Sequence, residues 1–339
     1  MRSRTPPNPA DGPHLAPGAE FDLIRRFLPR HAHARPDVRV GAGDDCAVVA
    51  GDGIALSCDM SVEGVHFRRD WLSLKEIGCR ATAAALSDLA AVAARPVGIL
   101  VSLALPEADA GMHAVQVMEG ARRAAESAGG VLLGGDVTRA PAHLAIDVTA
   151  VGEAPHPVLR SGAAMGDEVW VTGELGAAGL FVEQMLAGAE PDAAARKRYA
   201  GPEPRLREAR WLAERGFPTA MIDLSDGLAG DAAHLSAASG VAVLLAPELI
   251  PIHPAVLRHA ASAEDALRLA LAGGEDYELC FTAALGALEP FAHEFQREFG
   301  IRLTCVGRAG GGDGVWWTDA EGNRTPLGLQ GYQHFREER

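Results

Sequence analysis

The stretch Gly41 to Val49, GAGDDCAVV, sets two adjacent carboxylates, Asp44 and Asp45, between a glycine turn and a short apolar run. An apolar run of that length, bounded by turn residues, reads as a strand with acids at its mouth. Working outward, acid clusters recur in CDMSVEGVHF (Cys58 to Phe67), LSDLAA (Leu86 to Ala91), LGGDVT (Leu133 to Thr138), IDLSDGLA (Ile222 to Ala229) and GGEDYELCF (Gly273 to Phe281). Glycine beside most of these acids suits backbone approach to a ligand. The acids are therefore read as converging on magnesium ions that hold phosphates, although each one singly also fits a cap or a turn.

At 339 residues the chain is long enough for two domains with cores of their own. Its net charge of −14 predicts a surface that repels polyanions, and no basic tract points to nucleic acid. Any phosphate must then be met through cations. Lys75 and Lys197 are the only lysines, so a mechanism needing one has two candidates. The five cysteines (46, 58, 79, 280 and 305) are odd in number and lack C-x-x-C spacing, which argues against zinc and disulfides and for a cytoplasmic protein with core thiols. No apolar window reaches the ~20 residues of a membrane span.

Residues 1–19 hold five prolines and read as a disordered leader. Glu20 to Leu28 has helical spacing, and Val38 to Val40, Cys46 to Ala50 and Ile54 to Cys58 read as strands, with Gly51-Asp52-Gly53 a hairpin signal between the last two. Leu74 to Ala94 predicts a helix that is apolar on nearly every face, with Asp88 inside it, where a buried carboxylate is costly unless paired or metal-bound. A strand over 97–105, a helix over 109–128 and strands over 131–133 and 143–152 follow. The predicted divisions are residues 20–153, 154–309 and a hairpin and tail over 310–339. In the second half the pattern predicts strands at 168–172, 219–223, 241–245, 278–282 and 302–306, with helices at 177–188, 205–215, 228–239 and 287–299. Ser87-Asp88 with Gly134-Gly135-Asp136 is echoed by Ser225-Asp226 with Gly273-Gly274-Glu275-Asp276, at Asp spacings of 48 and 50 residues, which predicts two related halves.

No phosphate-binding loop of the G-x-x-x-x-G-K-[ST] kind, no dinucleotide fingerprint, no G-x-S-x-G elbow and no H-E-x-x-H is present. Any nucleotide site is of another kind. His66 and Arg160, taken alone, fit a structural histidine and a surface arginine.

Taken together, GAGDDCAVV, DMSVEGVHF, LSDLAAVAARP, LGGDVTR, LRSGAAMGD, IDLSDGLAGD, GGEDYELCF and the ending GYQHF resemble the thiamine-monophosphate kinases, of the superfamily of aminoimidazole ribotide synthetase, selenophosphate synthetase and the hydrogenase-maturation dehydratase. The resemblance runs from about Glu20 to Phe335. It implies two related α/β (α+β) domains of the aminoimidazole ribotide synthetase-like type, N-terminal sheets paired across a homodimer, and ATP between the domains. It implies Mg2+ ligands at Asp45, Ser57, Cys58 (through its carbonyl), Asp59, Asp88, Asp136, Asp223 and Asp226. Contacts to ATP fall on Gly135, Asp136, Arg160 and Ser225, and His66, Glu275 and Tyr332 line the thiamine monophosphate pocket. Cys58, Ala85 and Ala93 depart from the frequent threonine, asparagine and glycine of the family.

The implied reaction brings two anions together. Unit charges ~4 Å apart repel by about 4 kcal/mol at an effective dielectric of ~20, which several Mg2+ ions would offset during in-line transfer. The acceptor phosphate is already anionic, so no general base is assigned. Residues 1–40 contain neither the Cys nor the Lys of selenophosphate synthetases, and the chain ends FREER without the cysteine of the hydrogenase dehydratase. A non-catalytic nucleotide-binding protein is the remaining alternative, disfavoured by retention of every aligned carboxylate.

Overall fold

The computed structural model describes residues 37–40, 48–49, 53–319, 321–329 and 331. The predicted leader, the helix at Glu20 to Leu28, Asp45 and Tyr332 lie outside the described residues. Two compact units emerge, one running to Pro155 without residues 90–94, the other made of 90–94 and everything from His156 onward.

In the first unit β1 (Val38–Val40) pairs with β2 (Val48–Val49), and β3 (Ile54–Val62), α1 (Leu74–Ala91), β4 (Arg95–Leu105), α2 (Met112–Ser127), β5 (Leu132–Arg139) and β6 (Ala145–Glu153) follow. The sheet order is β3-β6-β4-β5, antiparallel except for the β4–β5 pair. The expected hairpin around Gly51-Asp52-Gly53 is therefore corrected: β2 finds its partner in β1 and β3 in β6, the β3–β6 ladder running over nine residues.

Helix α1 opens on a reciprocal cap. Glu76 accepts from the Ser73 backbone N–H at 2.8 Å while the Ser73 hydroxyl accepts from the Glu76 N–H at 3.3 Å. It ends at Ala91, three residues short of expectation, because Ala93 turns to φ +56°. Packing of α1 on α2 is at backbone contact: a Cβ added at Gly78 would stand 1.9 Å from the Val117 carbonyl oxygen, so only glycine fits. Helix α2 begins at Met112, the preceding Glu107–Asp109 being a 3-10 turn.

The second unit contains β7 (Glu168–Thr172), α3 (Ala177–Leu186), α4 (Ala193–Ala200), α5 (Leu206–Glu214), β8 (Pro218–Asp223), α6 (Leu228–Ser239), β9 (Ala242–Leu245), α7 (Pro254–His259), α8 (Ala263–Ala272), β10 (Leu279–Ala283), α9 (Ala292–Phe299), β11 (Leu303–Gly310), β12 (Val315–Thr318) and β13 (Arg324–Pro326). Its seven strands lie in the order β13-β12-β9-β11-β7-β10-β8, with β12–β9 the parallel pair. Strands β7 and β10 are buried at every position, so both faces of the sheet are covered. On one face Leu228, Ala232 and Leu235 of α6 and Leu271 of α8 join the core of Val169, Val171, Ile222 and Cys280.

Helices α4, α7 and α8 were not expected from periodicity; α8 carries a local sign, Ser262 capping the Asp265 N–H at 3.1 Å. The echoed acids do not occupy equivalent elements: Asp88 sits inside α1 and Asp136 inside β5, whereas Asp226 and Asp276 lie in turns.

Candidate active site

In the first unit the pleat of β3 sorts its side chains. Ile54, Leu56, Cys58 and Met60 are exposed on one face, and Ala55, Ser57, Asp59 and Ser61 point to the other. On that second face the Ser57 hydroxyl donates to the Asp88 carboxylate of α1. Asp88 is only partly buried, which corrects the expectation of a deeply buried acid: Ala81 to Ala91 is otherwise buried throughout, and Asp88 is the residue turned toward β3. Ser57, Asp59 and Asp88 thus form one oxygen-rich group.

Asp136 belongs elsewhere. The ladder aligns Met60, Asp147, Ser102 and Asp136 in one row and Asp59, Val148, Val101 and Gly135 in the next, so Asp136 and Asp59 face opposite sides. Strands β3 and β5 are the two outer strands, about 14 Å apart across three ladder spacings. At Gly135 a Cβ would stand 1.8 Å from the Val101 carbonyl oxygen, so packing alone demands glycine there.

Cys58 lies on the exposed face, where its thiol donates to Asp147 at 3.1 Å, and that carboxylate holds the thiol above its ordinary pKa. Only its carbonyl is suited to ligation, and the expectation of core thiols fails for it; Cys280, by contrast, is buried, and burial pushes its thiol up to about 12. Lys75 pairs with Glu119 at 2.8 Å, thirteen residues before Asp88 and so about 20 Å along the helix. It is remote from the acids.

His66 sits in the turn after β3. Its Nδ1 accepts the Val62 N–H at 3.0 Å, which fixes the neutral tautomer with the proton on Nε2. The turn is anchored by Glu63, which accepts from the Leu144 N–H at 3.0 Å and pairs with Arg69 at 3.0 Å; Arg69 also meets Asp109 at 2.7 Å.

In the second unit Asp223 ends β8, opposite Leu279 of β10, and is buried. Ser225, Asp226 and Gly227 make the turn into α6. Asp231 in the first turn of α6 accepts the Asp226 N–H at 3.2 Å. Burial, and then the charges of Asp223 and Asp226, push the Asp231 carboxyl up to about 8. Asp231 was quoted in IDLSDGLAGD without a role; its place five residues after Asp226, in a helix's first turn, was the available signal. Arg160 is exposed, and its carbonyl accepts from Ser239 at 2.9 Å. A Cβ at Gly331 would stand 3.0 Å from the Asp226 carbonyl oxygen, so the chain reaches this turn one residue before Tyr332.

The GGEDYE loop closes on the same turn. Glu275 donates its N–H to the Ser225 carbonyl at 2.7 Å, Tyr277 donates to the Leu224 carbonyl at 2.8 Å, and the Tyr277 hydroxyl donates to Glu275 at 2.7 Å. Asp276, marked in the sequence only by its spacing from Asp226, and Glu278, not singled out there, are both buried. Glu278 accepts from Arg205 at 2.6 and 2.7 Å, from Thr172 at 2.7 Å and from Arg198; burial opposes its ionisation, but the two arginines outweigh it and hold the carboxyl below the usual range.

Among the described residues no group of three His, Cys, Asp or Glu side chains is arranged to hold a metal ion by itself, and no helix is long and apolar enough to cross a membrane. The donors nevertheless suit a hard divalent cation in kind. They are carboxylates and a hydroxyl, and Mg2+ is commonly held by one or two carboxylates with waters and substrate phosphates completing its shell. Asp231, its carboxyl raised first by burial and then by Asp223 and Asp226, stands beside two acids whose charge such a cation would relieve.

Residues 43–154 match the family model of the AIR synthase related protein, N-terminal domain. The thiamine-monophosphate kinase of Escherichia coli K12 is 35% identical over 329 residues, which cover 93% of this chain and 98% of that one. The crystal structure of thiamine-monophosphate kinase from Stenotrophomonas maltophilia K279a superposes with a TM-score of 0.78 at 34% identity, over 89% of this chain and 96% of the other. AaThiL complexed with AMPPCP and TMP gives a TM-score of 0.72 at 30% identity, over 83% and 87%.

Proposed function

The chain belongs to the thiamine-monophosphate kinase family, and from that premise we propose that it transfers the γ-phosphoryl group of ATP to thiamine monophosphate in line, with Mg2+, giving thiamine diphosphate and ADP. The observation that carries the proposal is the oxygen-donor group at Ser57, Asp59 and Asp88, where a strand and a helix of the first unit present two carboxylates and a hydroxyl. In the second unit the corresponding donors are Asp223 and Asp226, with Asp231 behind them. Asp45 and Asp136 are the further acids that the family set implies, Asp136 on the opposite face of the first unit's sheet from Asp59, and the Cys58 carbonyl is a further donor.

Mg2+ held by these oxygens supplies charge neutralisation between ATP and an anionic acceptor. The protein's own groups position and orient. Ser57 fixes the Asp88 carboxylate, so the donor group is set before substrate arrives. His66, its ring oriented by the Val62 N–H on Nδ1, is placed beside the acceptor phosphate as a binding residue. The acceptor phosphate has a second pKa near ~6, so it attacks as an anion and needs no base. Arg160, Gly135 and Ser225 bind ATP, and Glu275 and Tyr332 with His66 bind thiamine monophosphate.

The homodimer belongs to the same proposal. Ile54, Leu56 and Met60 expose 48%, 69% and 57% of their surface on one face of β3, an apolar face that a second sheet would cover. A cytoplasmic location follows from the need for ATP and agrees with the free thiols. The test is ADP release with and without thiamine monophosphate. Strict dependence on that acceptor supports the reading; acceptor-independent release, or none at all, overturns it.

A further inference from the structure

Asp276 is a buried acid with no part in the mechanism above, and its surroundings are unusual. Both of its oxygens accept the Gly176 N–H, at 2.9 and 3.0 Å, on the N-terminus of α3. On either side the backbone is forced into the left-handed region, Glu275 at φ +63° and Tyr277 at φ +51°, after Gly274 at φ +65°. Among the described residues only Ala93 is another non-glycine with positive φ. Side chains adopt that region at a cost, and such turns persist only when something else holds them. Here the holder is identifiable. Asp276 points inward to a helix terminus, where partial positive charge suits a carboxylate, and its neighbours on each side thereby face the Ser225 turn, to which Glu275 and Tyr277 are tied by backbone hydrogen bonds.

We propose that Asp276 is a positioning residue for the kinase reaction: its carboxylate, clamped on α3, holds the 274–277 loop in the strained form that aims the Glu275 side chain at thiamine monophosphate. The inference rests on the reading of Glu275 as a substrate-binding residue. Two neighbouring features agree with it. The Tyr277 hydroxyl donates to Glu275, so the aimed carboxylate is itself braced. Glu278, one residue further, is pinned by Arg205, Arg198 and Thr172, which fixes the strand end of the loop independently of substrate.

The experiment is steady-state kinetics of full-length Asp276→Ala, Asp276→Asn, Glu275→Gln and the double variant Asp276→Ala with Glu275→Gln, with folded fraction read by circular dichroism. Losing the acceptor of the Gly176 N–H predicts a rise of about tenfold or more in KM for thiamine monophosphate in Asp276→Ala, and of about threefold in Asp276→Asn, which keeps one oxygen. KM for ATP should move by less than about threefold. In the double variant the KM should not exceed that of the worse single variant, since both act through one carboxylate. A lower melting temperature with wild-type KM in Asp276→Ala overturns the inference, as do multiplying effects in the double variant. If Asp276→Ala does not fold, wild-type KM in Asp276→Asn overturns it. Wild-type KM in Glu275→Gln instead sinks the substrate role of Glu275 itself.

Discussion

Replacing Asp231 by Asn should stabilise the metal-free protein, and increasingly so as pH rises. The carboxyl moves from 3.8 to about 8 on folding. The folded state therefore binds its proton more tightly than the unfolded state. Below about pH 4 both states are protonated and Asp231 contributes nothing. Between there and about pH 8 only the unfolded state loses the proton, so stability falls by about 1.4 kcal/mol per pH unit. Above about pH 8 the loss levels off at about 6 kcal/mol, the shift multiplied by 1.36 kcal/mol per unit. Asn keeps an oxygen for the Asp226 N–H and has no charge to repel Asp223 and Asp226. Urea unfolding of wild type and Asp231→Asn at pH 6, 7, 8 and 9 without Mg2+ should give curves that diverge in that order. Adding Mg2+ should bring wild type back toward the variant, because a cation beside Asp223 and Asp226 offsets the repulsion. Parallel curves across this range would refute the reasoning, since they would mean that burial and the neighbouring Asp223 and Asp226 do not raise the Asp231 carboxyl.

Four further outcomes are expected. Asp88→Asn should lower kcat by about 100-fold or more while circular dichroism stays native; near wild-type turnover at saturating Mg2+ would remove Asp88 from the metal role. Glu278→Gln leaves two arginines without their buried counter-charge and should cost about 3–5 kcal/mol in urea unfolding; less than about 1 kcal/mol would mean the charge is solvated elsewhere. Ala93→Gly should raise stability by about 0.5–1 kcal/mol, because relief of φ +56° exceeds the entropy glycine adds to the unfolded chain, and a lower melting temperature would contradict that balance. Leu56→Asp, on the exposed face of β3, should shift sedimentation at micromolar concentration from dimer to monomer with the fold intact; an unchanged profile would move the dimer interface elsewhere.

Ala93 also shows how a departure from family pattern becomes legible. A frequent glycine at this position has a physical reason, a left-handed backbone between α1 and β4, and alanine occupies it at a cost. Gly135 runs the other way. It was read as a nucleotide contact, and the strand packing against Val101 already requires it.

Sequence alone was sufficient for the α/β class, most of the strands, α1, α3, α5 and α6, and the motifs that identify the family, because hydrophobic period and turn chemistry are local properties written over a few residues. The unexpected helices α4, α7 and α8 are six to ten residues long, and their signs are local caps, Asp192, His253 and Ser262, rather than an apolar period. Tertiary structure decided which acids share an environment. Strand order and register separate Asp136 from Asp59, and the pleat sends Cys58 away from Ser57. Burial beside Asp223 and Asp226 raises Asp231, and a helix terminus from a hundred residues earlier receives Asp276. These depend on which distant segments pack together, and electrostatic environment follows packing rather than spacing along the chain.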